Sequence, residues 1–139
     1  MRNTYSYLSD FLTPEELQAG LNLSLSLASE GMKKLTIFVN SISSCEQFLS
    51  EIFKSPELNK LRNNQSITIN GISIELESTK TIETYKTYEA ILAIHASASL
   101  LEKIDSNKSV RVLVLLAEDR DISKEWLASV EAKPLSKTV

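Results

Sequence analysis

The sequence predicts a small three-layer, Rossmann-like α/β domain, with a mainly parallel sheet, an edge β-hairpin and helices on both faces. Short apolar, β-prone runs lie at residues 35–39, 90–94 and 110–116, and they lack the polar alternation of a half-exposed strand. Helical patterns of apolar residues separate these runs. Strands that alternate with helices indicate a parallel sheet, and its crossovers are expected to be right-handed.

The length of the chain predicts one domain. Its 139 residues are enough to bury a core without a disulfide or a metal, and 42% hydrophobic with 24% charged residues is typical of a globular protein. We expect a single α/β domain over residues 13–132, an amino-terminal segment at 1–12 and a flexible tail at 133–139.

Charge and cysteine content make several function classes unfavourable. The net charge is −3 and no cluster of Lys and Arg is present, so duplex nucleic acid is an unlikely partner. Cys45 is the only cysteine and His95 the only histidine, which excludes an internal disulfide and ordinary His/Cys zinc sites. No apolar run reaches membrane-spanning length. We therefore expect a cytoplasmic protein with no membrane association, no metal and no cofactor.

The first helix has a well-marked start. Thr13 can cap it, Pro14 suits its first position, and Glu16 completes a capping box, which predicts a helix over 14–29 that Gly31 ends. The leucines at 21, 23, 25 and 27 alternate with polar residues, which favours a strand instead. The capping signal decides for the helix.

The middle of the chain predicts two helical segments and a hairpin. An apolar stripe from Cys45 to Phe53 predicts a helix, with a capping box of Ser43 and Glu46 or of Ser44 and Gln47. A short helical turn follows at 55–61. In the hairpin at 67–76, the type I′ turn Asn70–Gly71 pairs Ile69 with Ile72 and Ile67 with Ile74, and half-burial places it at a sheet edge.

The rest of the chain continues the alternation. After a polar connection at 78–88 and the strand at 90–94, a short helix carries Leu100 and Ile104, with Ser99 and Glu102 as its capping box. A final helix is predicted from Ile122, Trp126, Leu127 and Val130, which share one face.

The last third of the chain carries a resemblance. The segments AILAIH, SLLEKID, VRVLVLL and a late EW, between Ala90 and Trp126, resemble small bacterial α/β proteins of no assigned activity. The resemblance implies the fold and a bacterial origin. At the end of the AILAI strand, where a further aromatic residue is expected, this chain has His95.

Polar residues follow three of the predicted strands, where open α/β sheets bind their ligands. His95 is a candidate base, and Glu118 and Asp119 are candidate carboxylates that orient it or hold a divalent cation. The candidate ligand-binding residues are Ser41, Ser44 and Ser97. The alternatives are a hydrogen-bonded histidine at a strand end and a charged loop that caps the last helix. With only three glycines, no dinucleotide or P-loop motif can be formed.

Two other regions are candidates for interactions. The first is the amino-terminal segment with Tyr5, Leu8 and Phe11, and the second is the polar connection with Lys80, Tyr85 and Tyr88. Each has an ordinary alternative, since the segment could pack on its own domain and the connection could be solvated. Tyrosines beside lysines also favour, more weakly, single-stranded nucleic acid.

The absence of a nucleophile–base pair, a phosphate loop or a metal constellation favours a non-enzymatic function. We expect a protein-interaction or regulatory module of a bacterial cytoplasmic system, which binds a protein partner or forms a homo-oligomer. The alternative is a domain that binds or hydrolyses a small ligand, such as a phosphate, a nucleotide or a divalent cation, at the carboxyl ends of the parallel strands.

Overall fold

A computed structural model describes residues 3–9, 12–42, 46–83, 86–107, 109–118 and 133–134 of the chain. Their strands are β1 (Asn3–Ser9), β2 (Lys34–Val39), β3 (Ile67–Ile69), β4 (Ile72–Ser78), β5 (Ala90–Ile94), β6 (Val112–Glu118) and β7 (Lys133–Pro134). Their helices are α1 (Pro14–Ala28), α2 (Glu46–Leu49), α3 (Ser55–Arg62) and α4 (Ala98–Ser106).

The strands form one sheet in the order β3-β4-β2-β5-β6-β1-β7. Every pairing is parallel except that of β3 with β4. The predicted α/β class with a mainly parallel sheet is therefore confirmed.

Helices pack on both faces of this sheet. Along β6, Val112, Val114 and Leu116 belong to the core under α1, α2 and α3, whereas Leu113 and Leu115 belong to the core with α4. On the first face, the crossovers β1–β2 and β2–β4 both move toward the β3 edge of the sheet. On the second face, the crossovers β4–β5 and β5–β6 both move toward the β7 edge. All four crossovers therefore have the same hand, as the rule for parallel strands requires.

The start of α1 has the predicted capping box. The Glu16 backbone N–H donates to Thr13 Oγ1 over 3.2 Å, and the Thr13 N–H donates to Glu16 Oε1 over 3.0 Å. Leu17, Leu21 and Leu25 are buried, while Leu23 and Leu27 are half-exposed. The capping residues thus outweigh the leucine alternation, because both halves of the box form only in a helix.

The prediction of one helix over residues 45–53 is wrong. Helix α2 ends at Leu49, and the chain turns through Ile52 and Phe53 before α3 begins. Helix α3 has its own start, since Lys54 N–H donates to Glu57 Oε1 over 3.2 Å. Phe53 lies in this turn and is buried there. The apolar spacing up to Phe53 therefore marks buried positions, although no continuous helix connects them.

Two predicted boundaries also shift. The N-cap of α4 is Ser97 rather than Ser99, because its Oγ accepts from Leu100 N–H over 3.2 Å. Strand β6 starts at Val112, two residues later than predicted. The backbone N–H groups of both Arg111 and Val112 donate to Glu89 O, and regular pairing begins at Val112, which is opposite both Ala90 and Asn3.

The hairpin has its predicted register. Ile69 is opposite Ile72 and Ile67 is opposite Ile74. The φ angles of Asn70 and Gly71 are 52° and 79°, which is the positive pair that a type I′ turn requires. Strand β3 lies at the edge of the sheet as predicted, whereas β4 lies inside it and pairs with β2.

Strands β1 and β7 were not predicted from the sequence. β1 lies between β6 and β7, and Tyr5 is opposite both Val114 and Lys133. Its partners are more than a hundred residues away in the chain, so no local pattern announces the pairing. The predicted final helix at 122–130 lies outside the described residues.

Candidate functional site

The carboxyl ends of β2 and β5 meet where the strand order reverses. After β2 the chain adds β4 on one side, and it then adds β5 on the other side of β2. Open α/β sheets bind ligands in the crevice at such a switch point. Asn40 and His95 are the residues that directly follow the two strands here.

The side chain of Asn40 bridges the two strand ends. Its Nδ2 donates to the carbonyl oxygen of His95 over 2.6 Å, and its Oδ1 accepts from the backbone N–H of Ser97 over 2.8 Å. A side-chain amide can do both because it carries a donor and an acceptor. The sequence analysis did not select Asn40 as a site residue, although an amide directly after a buried strand was the available signal.

His95 lies at this junction in an unusual backbone conformation. Its φ is 52°, in the left-handed region that few residues other than glycine adopt. Its backbone N–H donates to Leu116 O over 2.9 Å, and its half-exposed imidazole meets the Phe48 ring edge-on at 5.0 Å between centroids. Such strained positions cluster at functional sites. The imidazole therefore borders the crevice, beside an aromatic side chain.

Two of the three candidate serines lie beside this junction. The hydroxyl of Ser97 caps α4 and accepts from Leu100 N–H. Ser41 follows Asn40 and is half-exposed. Ser44 lies outside the described residues.

The candidate carboxylates follow β6, the neighbour of β5. Ile94 is opposite Leu116, so the backbone of Glu118 lies two residues further along the edge that carries His95. Only the backbone of Glu118 is described, and Asp119 lies outside the described residues. Among the described residues, no group of three His, Cys, Asp or Glu could hold a metal ion.

A buried acidic group, Glu77 near the end of β4, faces the polar connection between β4 and β5. Tyr88 is completely buried, and its phenol donates to Oε1 of Glu77 over 3.0 Å. Lys86 Nζ lies 2.7 Å from Glu77 Oε2 and 3.8 Å from Glu75 Oε2. Burial raises the pKa of the Tyr88 phenol above its ordinary value, and the hydrogen bond to Glu77 raises the pKa of Lys86.

Further hydrogen bonds fix this connection to the end of α4. Asn107 Nδ2 donates to the carbonyl oxygens of Glu83 and Lys86, over 3.1 and 2.6 Å. Lys80 is exposed, whereas Tyr85 lies outside the described residues. The buried ring of Tyr88 has no exposed face on which a base could stack.

A strip of half-exposed apolar side chains lies at the other end of the sheet. Tyr5 and Tyr7 of β1 and Leu23 and Leu27 of α1 all pack against the core of the first face while remaining partly open to solvent. We refer to these four residues as the β1–α1 strip. Helix α1 packs mainly on β5, β6 and β2, so β1 lies beyond its cover.

A close approach of α1 to β6 orients the strip. A Cβ at Gly20 would lie 2.3 Å from Cδ1 of Leu116, so this flank of α1 faces β6 directly. Leu23 and Leu27, three and seven residues later, share that flank because a helix repeats every 3.6 residues. Tyr7 is opposite Leu116 in the neighbouring strand. The two leucines therefore lie on the side of α1 that is turned toward β1.

One of the three amino-terminal candidates lies in this strip. It is Tyr5, on the face of β1 that α1 approaches. The backbone of Leu8 lies further along β1. Phe11 lies outside the described residues.

The edge strand β3 and a cleft between α2 and α3 are two other surface features, and they offer fewer groups for a specific function. The edge strand β3 exposes Thr68. Thr68 and Ser73 form a non-hydrogen-bonded pair of the two-residue hairpin, so the Thr68 backbone groups point away from the sheet. A wide cleft of about 510 Å³ lies between α2 and α3. It is lined largely by polar side chains, among them Glu46, Glu51, Lys54 and Asn59.

No helix among the described residues is long and apolar enough to cross a membrane. Comparison of the chain with protein-family models, with curated proteins and with solved structures finds no match.

Proposed function

We propose that this chain is a non-enzymatic protein-interaction module of a bacterial cytoplasmic system, built as a three-layer Rossmann-like domain, and that it binds its partner through the β1–α1 strip. The observation that carries this proposal is the strip itself. Two tyrosines and two leucines remain half-exposed where α1 leaves β1 uncovered. Apolar side chains that stay half-exposed over one part of the core are a feature of many binding sites. Tyrosine is also enriched where partners bury surface.

The other exposed elements of the chain support this choice of surface. The polar connection is held by hydrogen bonds to Glu77 and Asn107. Tyr88 therefore stabilises the fold and is not exposed for a partner. The crevice between β2 and β5 is bridged by Asn40. The cytoplasmic location agrees with a chain whose only cysteine is Cys45, since secreted domains of modest size commonly depend on disulfides.

Affinity capture from a bacterial lysate tests the proposal when strip and control variants are compared. Leu23→Asn removes apolar surface from the strip. A second leucine such as Leu58 cannot serve as the control, because Leu58 is buried and its substitution would disturb the core. Ser99→Asn, on the exposed side of α4, is the better control. A protein retained by the wild type and by Ser99→Asn, and lost with Leu23→Asn, would support the proposal. A set of captured proteins that is identical for all three would overturn it.

A second candidate function is small-ligand binding at the strand ends. It is favoured by the left-handed φ of His95 and by the contact of its imidazole with Phe48 at the switch point. Thermal unfolding against nucleotides, phosphorylated metabolites and divalent cations tests it. A ligand at a hundred times its Kd stabilises a protein by about 2.7 kcal/mol. A rise in Tm that His95→Ala removes would support this function, and no rise with any ligand would oppose it.

A further inference from the structure

Asn70 and Gly71 form the exposed turn at the tip of the β3–β4 hairpin. Within the described part of the chain, the side-chain amide of Asn70 makes no hydrogen bond to another residue, and the backbone N–H of Gly71 has no acceptor. Both groups are open to water. The amide is therefore not held in one orientation relative to the backbone that follows it.

The backbone nitrogen of Gly71 is also unshielded. Nothing lies within 4 Å of the position that a Cβ of Gly71 would occupy. Glycine has no side chain to block an approach to its own nitrogen, and its backbone has the widest conformational freedom. Loop tips of this kind open locally at a low cost in free energy. The Gly71 nitrogen can therefore reach the side chain of Asn70 when the turn opens.

We propose that Asn70 is a site of spontaneous deamidation, and that its isoaspartyl product releases β3 from the edge of the sheet. The deprotonated Gly71 nitrogen attacks Cγ of Asn70, so a bond forms between these two atoms and the bond from Cγ to Nδ2 breaks. Nδ2 leaves as ammonia, which takes up one proton for the one that the Gly71 nitrogen lost. Water then opens the five-membered imide at either carbonyl, which gives aspartate or isoaspartate.

The two products act differently on the hairpin. Aspartate keeps the main chain at its original length, and Asp–Gly favours the same type I′ turn. Isoaspartate places the Cβ atom in the main chain, so the turn gains one backbone atom and no longer matches the pairing of Ile69 with Ile72. Among the described strands, β4 is the only one that pairs with β3. Loss of the turn therefore exposes Ile67, which is buried in the intact hairpin.

Asn40 offers a matched comparison within the same chain. It is exposed like Asn70, but its amide donates to His95 O over 2.6 Å and accepts from Ser97 N–H over 2.8 Å. The substitution Ser41→Gly gives the chain a second asparagine–glycine pair, with Asn40 as its asparagine. The two asparagines then have the same following residue and differ in whether hydrogen bonds hold the side chain.

Peptide mass spectrometry of the full chain carrying Ser41→Gly, incubated at mildly alkaline pH, measures the conversion of each amide to the acid. In the folded chain Asn70 should convert at least about fivefold faster than Asn40, because the Asn40 hydrogen bonds must first break. In concentrated urea neither side chain is held, so the two should convert at similar rates. The wild-type chain, folded and in urea, gives the rates at Asn70 without the substitution.

Hydrogen exchange tests the release of β3. Aged wild-type protein is separated by chromatography into its aspartyl and isoaspartyl forms. The Ile67 and Ile69 amides should exchange at least about tenfold faster in the isoaspartyl form, through local opening, and at the original rate in the aspartyl form. The amide of Leu92 in β5 should not change in either. Asn70→Gly, aged in the same way, should keep β3 protected, because Gly–Gly also forms a type I′ turn and has no amide to lose.

Equal conversion of Asn70 and Asn40 in the folded Ser41→Gly chain would overturn the deamidation site, since exposure and missing hydrogen bonds would then have no effect. Conversion of Asn70 in urea, with none in the folded wild-type chain, would overturn it as well. An isoaspartyl form whose Ile67 and Ile69 amides exchange as slowly as in the unmodified protein would overturn the release of β3.

Discussion

The phenol of Tyr88 donates a 3.0 Å hydrogen bond to Oε1 of Glu77, and both side chains are buried, with 0% and 6% of their surface exposed. Lys86 donates to the second oxygen of Glu77 over 2.7 Å. A buried carboxylate is tolerated when its oxygens are paired, and here each oxygen has a partner. The connection between β4 and β5 is therefore held to the sheet by one acidic side chain.

Tyr88→Phe should lower the free energy of unfolding by about 1–2 kcal/mol, because it leaves Glu77 Oε1 without its donor. It also removes the acceptor of Glu83 N–H, which now donates to the Tyr88 oxygen over 2.9 Å. Urea unfolding at neutral pH measures the change. A double-mutant cycle with Glu77→Met, which removes the acceptor and keeps the length of the side chain, is the control, and it should give a coupling of at least about 0.5 kcal/mol. Additive effects of the two substitutions would contradict the hydrogen bond.

Lys86→Met should destabilise the protein by about 1 kcal/mol, because it removes the cation from a buried carboxylate while keeping the apolar stem. The effect stays modest, since the Lys86 side chain is 37% exposed and water screens the pair. Lys80→Met is the matched control in the same connection, where the lysine is exposed. It should change stability by less than about 0.5 kcal/mol. Equal effects of the two variants in urea unfolding would refute a specific role of Lys86.

Stability should fall at alkaline pH. The folded protein raises the pKa of Tyr88 above 10.0, chiefly by burial, and the pKa of Lys86 above 10.5, chiefly through the hydrogen bond to Glu77. Both groups bind their protons more tightly in the folded state than in the unfolded state. Their contribution is therefore complete below about pH 10 and is lost as the pH rises through the folded values. Urea unfolding between about pH 8 and pH 11 should show this decline, and Tyr88→Phe combined with Lys86→Met should make it shallower.

Gly20→Ala should destabilise the protein by about 1–2 kcal/mol, although alanine favours a helix by up to about 1 kcal/mol. The new methyl group would lie 2.3 Å from Cδ1 of Leu116, which is itself buried. Adding Leu116→Val, which shortens that side chain, should recover part of the loss. Asn22→Ala, on the exposed face of α1, is the control and should be neutral or slightly stabilising. If thermal unfolding gives Gly20→Ala and Asn22→Ala the same melting temperature, the result would contradict the close packing of α1 on β6.

The sequence predicts a helix or a hairpin correctly where specific capping or turn residues mark its end. Thr13, Pro14 and Glu16 specify the start of α1, and Asn70–Gly71 specifies the hairpin register, because each signal acts within a few residues of itself. Strand β1 has no such signal. Its pairing with β6 joins residues that are distant in the chain, and such pairing is decided by tertiary contacts.

The residues of the candidate site also fall into two groups, those that a local sequence pattern predicts and those that depend on contacts distant in the chain. The position of His95 follows from the end of an apolar run, so the sequence predicts it. The partnership of Asn40 with Ser97, 57 residues later, depends on which strands become neighbours, and the sequence analysis did not predict strand order. Glu77 was missed for a related reason, since a glutamate near the end of a strand is ordinarily exposed. Its burial depends on Tyr88, which follows 11 residues later.

Asn40→Ala should loosen the junction of β2 and β5. The substitution removes the 2.6 Å bond to the His95 carbonyl and the 2.8 Å bond from Ser97 N–H, and each such bond is worth roughly 0.5–1.5 kcal/mol. Because Asn40 is exposed, water replaces part of both, and the expected loss is about 1 kcal/mol. Hydrogen exchange at the Ser97 amide should accelerate, whereas Asn59→Ala on exposed α3 should leave it unchanged. If the Ser97 amide stays as protected in Asn40→Ala as in the wild type, the bridge does not hold the two strand ends together.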